Sequence, residues 1–191
     1  MGCIEQQVSE IIMSLKELTS DLHQLAEERP FARLLSTGSL TPEQYTNYLF
    51  NQYYCYLALE QYLDMPDIQE IKRAEKIKED LEWYEIAHNF PKCQLTYSTN
   101  EYVDYIHSIG DNKEKILAHV YVRHFGDMFG GSMIAKNTSG PNNYYKFENR
   151  GELIKKVRSL LHDGMADEAR TCFQYAIRLF KDLEDGYDIQ G

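Results

Sequence analysis

The sequence predicts a single all-helical (all-α) domain, and three observations support this prediction. Apolar residues recur at three- and four-residue steps along most of the chain, which is the spacing of amphipathic helices. Glycine and proline are few, at 11 and 5 of 191 residues, which disfavours a turn-rich β architecture. The length suits one domain rather than two. We therefore expect one domain over residues 1–191, with a core over about 5–185 and a polar C-terminal tail over 184–191.

Local patterns place the helices in order along the chain. An apolar series from Val8 to Leu25 predicts an amphipathic first helix over about residues 5–27. A hydroxyl cap at Thr41, followed by proline and then by glutamine at the third position, predicts a second helix that ends near residue 63. Ser98 forms the same type of pattern with a glutamate three residues later. The remaining helices are predicted over about 67–87, 98–110, 111–135, 152–161 and 166–183.

Composition and charge restrict the class of partner. The net charge of −10 argues against nucleic acid as the main ligand, because phosphate binding requires a basic surface. The four cysteines have no Cys-x-x-Cys spacing, which favours reduced thiols. No apolar stretch reaches membrane-spanning length, and acidic residues interrupt the N-terminal segment where a signal peptide would be apolar. We therefore expect a soluble, cytoplasmic protein without a membrane anchor.

The first candidate site lies on the opening helix and consists of Lys16, His23 and Glu27. Seven residues make almost two helical turns, so Lys16 and His23 project along nearly the same stripe. Glu27 lies one turn beyond His23 and can fix the second ring nitrogen of an imidazole that binds a metal. The alternative interpretation is an ordinary solvated helix face.

The second candidate site is a glycine-rich stretch inside a predicted helix. Gly126, Gly130 and Gly131 are costly there, because each glycine loses about 1 kcal/mol relative to alanine in a helix interior. A face without Cβ atoms lets a flat group approach the backbone, and it also lets the helix bend. Asp127, with Arg123 one turn before it, could organise water at this face. Tight helix packing is the alternative interpretation.

The third candidate group supplies hydrogen-bond donors. Tyr56 lies on the second predicted helix, Tyr121 precedes the glycines, and Lys155, Lys156 and Arg158 cluster on a late helix. Such donors suit a ligand that carries two carboxylates, and arginine can bind a carboxylate through two parallel hydrogen bonds. A solvated basic face is the alternative.

One pattern indicates different chemistry. Glu85 and His88 form a Glu-x-x-His pair, which is half of the motif in carboxylate-bridged di-iron bundles. The chain contains no second pair of this kind, so we interpret His88 as a helix-end residue.

Four segments together resemble the heme oxygenase family. The stretch from Leu15 through His23 to Glu27 resembles the family's proximal-helix motif, and the sequence YVRHFGDMFGG at 121–131 resembles its distal-helix motif. YLALE at 56–60 is similar to a Tyr-x-Ala-Leu-Glu segment of the family, and residues 167–180 resemble its last core helix. The similarity therefore extends over most of residues 10–185.

The resemblance implies a helical bundle that holds heme b, as substrate and cofactor, between the first helix and a kinked glycine-rich helix. On the proximal side, it implies that His23 ligates the iron and that Glu27 supports His23. It also implies that Lys16, Tyr121 and Arg158 hold the heme propionates.

On the distal side, the resemblance implies that glycine backbone lines the heme face and that Asp127 positions a water, with Arg123 and Tyr56 behind it. The glycines concerned are Gly126, Gly130 and Gly131. The implied reaction is oxidative cleavage of heme to biliverdin (IX-alpha by family default), CO and ferrous iron, using O2 and electrons from a reductant such as ferredoxin.

Two departures from the family pattern leave alternatives open. Phe129 stands where the family has a small polar residue, which predicts a bulkier and drier distal cleft, and Ala176 replaces an amide that vertebrate members carry. One alternative is therefore a heme-binding or heme-sensing protein of the same fold without turnover. A di-iron oxidase or thiaminase-like enzyme of the related fold is a further alternative, independent of these two departures.

Overall fold

A computed structural model of the chain describes residues 2–88 and 93–190, with side chains from residue 15 onward. Within these ranges the structure is helical and contains no strand, which confirms the predicted fold class. The α-helices are α1 (Gly2–Glu27), α2 (Pro30–Thr37), α3 (Pro42–Glu60), α4 (Ala74–His88), α5 (Tyr97–Ile109), α6 (Lys113–Asn137), α7 (Arg150–Arg158) and α8 (Ala166–Gly186). Short 3-10 turns cover Pro66–Ile71, Asn143–Tyr145 and Asp163–Met165.

The N-terminal caps follow the sequence pattern at α3 and depart from it at α5. Thr41 Oγ1 accepts a hydrogen bond from the backbone N–H of Gln44, whose side-chain oxygen accepts one from the Thr41 N–H at 2.9 Å. At α5 the cap is Thr96 rather than Ser98, because the Thr96 side chain accepts the hydrogen bond from the N–H three residues later. The Ser98 hydroxyl instead donates to Asp182 on α8 at 2.6 Å.

Helix α2 was not predicted from the sequence, although a proline and a glycine mark its two ends. Proline opens this helix, and Gly38 ends it in the left-handed conformation with φ of 69°. Phe31 and Leu35 are buried on its inner face. Helix α2 packs against α1, α6 and α8.

Glu184 lies where the predicted core, to about residue 185, overlaps the predicted polar tail, and it belongs to the core. Helix α8 continues to Gly186, and Glu184 is only 4% exposed. Its carboxylate accepts hydrogen bonds from the Arg29 guanidinium and, at 3.0 Å, from the Phe31 N–H. This partly buried ion pair links the start of α2 to the end of α8.

Helix α8 sets the relative positions of the helices around the site. It packs against α1, α2, α5 and α6. From α1, Leu15 and Thr19 point into the core, whereas Leu18 and Leu25 are about half exposed despite their place in the apolar series. None of the described helices combines the length and the apolar character needed to cross a bilayer.

The described cysteine thiols form no disulfide. Cys55 and Cys172 are buried and Cys93 is half-buried, all of them free. Cys3 lies among the residues whose side chains are not described. In the described part of the chain, no three His, Cys, Asp or Glu side chains are grouped so that they could hold a metal ion. His88 is the last residue of α4, as the sequence predicted.

Candidate functional site

A cleft of about 390 Å³ opens between α1 and α6, with α2, α3 and α8 completing its walls. Of the residues singled out in the sequence, those that line the cleft are His23, Glu27, Tyr56, Arg123, Gly126, Asp127 and Gly130. Apolar side chains such as Ala26, Val122 and Phe173 form much of the remaining wall. The cleft therefore has an imidazole on one side and a glycine-rich helix on the other.

His23 is held by two neighbours while its side chain stays about half exposed to the cleft. Its Nδ1 atom lies 3.6 Å from a carboxylate oxygen of Glu27, one helical turn away. The edge of its ring meets Phe173 of α8, with ring centroids 5.7 Å apart. Because Nδ1 faces the carboxylate, Nε2 is the ring atom left for a metal.

The glycines of α6 face two different environments. A Cβ atom added at Gly126 or Gly130 would meet no other heavy atom within 4 Å, so both positions leave open space against the backbone. A Cβ at Gly131 would come within 2.3 Å of the Tyr145 ring. Gly131 thus allows close packing against Tyr145 and does not line the cleft, which corrects the expectation that all three glycines do so.

Asp127 is held by two phenols at the inner end of the cleft. Tyr56 donates a hydrogen bond to one carboxylate oxygen, and Tyr144 donates to the other at 3.0 Å. Burial raises the pKa of Asp127 to about 7, although the two phenols and the charge of Arg123 act in the opposite direction. The carboxyl group can therefore gain or lose a proton near neutral pH.

Arg123 supports this region without contacting Asp127 through a hydrogen bond. Its Nη1 donates to the side-chain oxygen of Gln52 at 3.0 Å. Its guanidinium lies over the Tyr102 ring, 4.1 Å from the centroid. The side chain is buried, so its positive charge acts on Asp127 through a medium of low polarity.

Three predicted propionate ligands lie outside the cleft lining. Lys16 is exposed on α1, and Tyr121 is half-buried beside Phe125, with ring centroids 5.7 Å apart. Arg158 is also half-buried, and its Nε atom is buried without a hydrogen-bond partner. Their assignment to carboxylates of a ligand stays a prediction.

Phe129 does not narrow the cleft, which overturns the expectation of a bulkier distal side. It is 52% exposed, packs against Phe125 and lies under the guanidinium of Arg150 at 5.2 Å. Ala176 does line the cleft, so the amide of the vertebrate members is replaced there by a methyl group.

Sequence reasoning missed Tyr144 and Gln52, which complete the surroundings of Asp127 and Arg123. Tyr144 follows a glycine- and asparagine-rich loop, and no periodic pattern assigns a role to a residue in such a position. Gln52 lies one helical turn before Tyr56 on α3. Only this helical spacing could have indicated that Gln52 faces the same side as Tyr56.

These residues fit a flat, largely apolar ring that carries a metal at its centre. The ring can approach the Gly126 and Gly130 backbone because no Cβ fills that space. An imidazole supported by a carboxylate faces it from α1, and a titratable carboxyl group lies beside the opposite face. The fold and the site thus define a helical protein of the porphyrin-binding class.

Comparisons with known proteins identify the family. A family model described as heme oxygenase matches residues 9–182, so the chain belongs to the heme oxygenase family, whose function is the degradation of heme to biliverdin. A heme oxygenase of Takifugu rubripes is 27% identical over 205 residues, which cover 89% of this chain and 73% of that protein. A heme oxygenase of Pyropia yezoensis is 29% identical over 159 residues, covering 74% and 67% respectively. The family resemblance read from the sequence is confirmed.

Solved structures agree with this assignment. Heme oxygenase-1 of the cyanobacterium Synechocystis sp. PCC6803, in complex with heme, has a TM-score of 0.79, covers 92% of this chain and 93% of its own, and is 21% identical, a level that supports the fold alone. Heme oxygenase-2 of Synechocystis sp. PCC 6803, in complex with heme and NO, has a TM-score of 0.76 and is 26% identical, covering 92% and 85%. These matches favour a heme oxygenase over the di-iron and thiaminase-like alternatives.

Proposed function

We propose that this chain cleaves heme with His23 as iron ligand and Asp127 as the distal acid group, using O2 and electrons from a ferredoxin. The observation that carries the proposal is that His23 of α1 and Asp127 of α6 both line one cleft. Bound heme supplies the iron that activates O2 and the ring that is opened.

On the proximal side, His23 would bind the heme iron through Nε2, and the Glu27 carboxylate lies beside Nδ1, where it can orient the imidazole. The Phe173 ring packs on the imidazole and limits its rotation. Lys16, Tyr121 and Arg158 are the candidates to hold the propionates, since arginine, lysine and phenol donors all bind carboxylates well.

On the distal side, Asp127 holds a proton and passes it to a water in the cleft. Tyr56 and Tyr144 fix the carboxylate, so its position does not depend on the ligand. A pKa of about 7 suits an acid that must both release and recover a proton at neutral pH. The Gly126 and Gly130 positions leave room for the ring against the backbone, and they carry no side chain that could supply a competing proton.

A local basic surface is needed for contact with an acidic ferredoxin, because the chain carries a net charge of −10. The sequence offers Lys72, Arg73, Lys76 and Lys78 as possible contributors, together with Lys155 and Lys156. Arg73 is buried, donates to backbone carbonyls and lies over the Phe147 ring, so it is unavailable to a partner. Helix α7, which carries the exposed Lys155 and Lys156, packs against the 3-10 turn that ends one residue before Lys72.

Turnover measured with two reductants tests this function. The hemin complex should yield a bilin absorption band both with ascorbate and with reduced ferredoxin. A Lys155→Glu/Lys156→Glu variant should lose rate with ferredoxin alone, because ascorbate needs no docking surface. A Soret band on hemin addition without any bilin would instead support the heme-binding or heme-sensing alternative.

A further inference from the structure

We propose that an aromatic relay of Tyr48, Tyr45, Tyr84 and Trp83 carries oxidising equivalents from the cleft to the protein surface. The relay would protect the distal residues when an oxidant formed in the cleft does not react with the ring. This inference rests on the proposed function, because the oxidant arises from heme and peroxide.

The four rings form a continuous path. Tyr48 lines the cleft, and its ring centroid lies 6.1 Å from that of Tyr45. Tyr45 meets Tyr84 at 5.4 Å, and Tyr84 meets Trp83 at 5.0 Å. Each step is thus within the range of direct aromatic contact.

The first three rings of the relay are buried, and the last one is accessible to solvent. Tyr48, Tyr45 and Tyr84 are each at most 5% exposed, whereas Trp83 is 40% exposed. The first three rings are shielded from reductants in solution, and the last can be re-reduced by them. Phe31 and Phe180 also contact Tyr48, but a phenyl ring is too difficult to oxidise to compete with a phenol or an indole.

Only oxidising equivalents can use this path, because phenol and indole rings give up an electron far more easily than they accept one. Hydrogen peroxide takes up two electrons and two protons and yields two waters. For each electron drawn through the relay, the Trp83 indole loses one electron to Tyr84 and one N–H proton to solvent. Tyr48, Tyr45 and Tyr84 each give an electron inward and regain one from the next ring, and their phenols end protonated.

The phenols start protonated as well. Burial raises the pKa of both Tyr45 and Tyr84 above the usual range. The Tyr45 hydroxyl is buried, and the Tyr145 phenol is the hydrogen-bonding group that acts on it. Tyr45→Phe therefore interrupts the relay and removes at most this one contact, and an unchanged hemin Soret band and urea midpoint check that the variant folds.

The test uses the hemin complex, hydrogen peroxide and a nitroso spin trap, followed by peptide mass spectrometry and by electron paramagnetic resonance of frozen samples. The parent protein should carry the trap on Trp83. Tyr45→Phe should lose the Trp83 adduct. Trp83→Phe should give no adduct at position 83, and its frozen sample should show a tyrosyl radical signal, because Tyr84 is too buried to meet the trap. Tyr54→Phe, which changes a tyrosine of a separate aromatic group with Phe50 and Tyr53, should leave the Trp83 adduct unchanged.

An unchanged Trp83 adduct in Tyr45→Phe would overturn the relay, and so would a parent protein that binds hemin and yields bilin but never modifies Trp83. In the second case the proposed function would stand. Absence of a Soret band after hemin addition would overturn both proposals.

Discussion

Replacement of Asp127 by alanine is expected to leave hemin binding intact and to lower the rate of biliverdin formation by roughly 10²- to 10⁴-fold, the contribution typical of a positioned acid or base. Binding should persist because the ring contacts the Gly126 and Gly130 backbone and His23 rather than the carboxyl group. The rate should fall because a methyl group cannot hand a proton to water. Single-turnover absorption spectra of the hemin complex with ascorbate measure both quantities.

The matched variant Asp127→Asn separates the proton from the shape of the side chain. The amide can still meet Tyr56 and Tyr144, so its structure should change less than that of the alanine variant. Its rate should nevertheless fall to a similar level, since an amide does not titrate. A rate near that of the parent protein in either variant would show that Asp127 does not act as the distal acid.

The same residue makes a stability prediction with a defined sign. The pKa of Asp127 is raised in the folded protein, so the folded state binds this proton more tightly than the unfolded state. The resulting stabilisation is fully present below the unfolded pKa of 3.8 and is lost as the pH rises through about 7. In urea unfolding without hemin, the free energy of unfolding of the parent protein should fall relative to that of Asp127→Asn as the pH rises from about 4 to about 7, and the difference should be constant above that range.

Replacement of His23 by alanine is expected to remove the axial imidazole, with a shifted Soret band and loss of biliverdin formation. Apolar contacts from residues such as Phe173 should still retain some hemin. Glu27→Gln should have a smaller effect, within the roughly 10- to 100-fold range known for outer-sphere partners of metal ligands. The measurement is a hemin titration combined with the spectrum of the ferric complex.

A surface histidine provides the control for this variant. His162 pairs with Glu114 at 3.1 Å and does not line the cleft. His162→Ala should therefore leave both the spectrum and the rate unchanged. A normal Soret position in His23→Ala would assign the iron ligand to another residue.

Periodic patterns predicted most of the fold, and they failed where a long-range contact decides the local structure. Eight residues are too few for a clear period, so α2 was not predicted in spite of its proline and glycine boundaries. Ser98 resembles a cap in sequence, but Asp182 on α8 takes up both its N–H and its hydroxyl. Glu184 resembles a tail residue because its partner Arg29 is distant in sequence.

In the candidate site, too, local patterns identified residues, and long-range contacts determined their surroundings. Spacing brought His23 and Glu27 together on one helix, and family resemblance placed Asp127 opposite them. Gly130 and Gly131 are adjacent in sequence but point about 100° apart on the helix, and only the folded structure reveals that Tyr145 fills the space beside the second. The sequence pattern therefore identified the glycine stretch, but it did not show which glycines face the cleft and which one packs against Tyr145.

The central claim is that a porphyrin lies between His23 and the glycine backbone of α6. Gallium protoporphyrin IX is diamagnetic, so its ring current shifts the NMR signals of nearby amides without broadening them. In glycine-labelled protein, the Gly126 and Gly130 amides should shift strongly on its addition, while Gly151 and Gly186, which are equally free of neighbouring atoms but outside the cleft, should not. Saturable porphyrin binding with unmoved Gly126 and Gly130 signals would contradict the account.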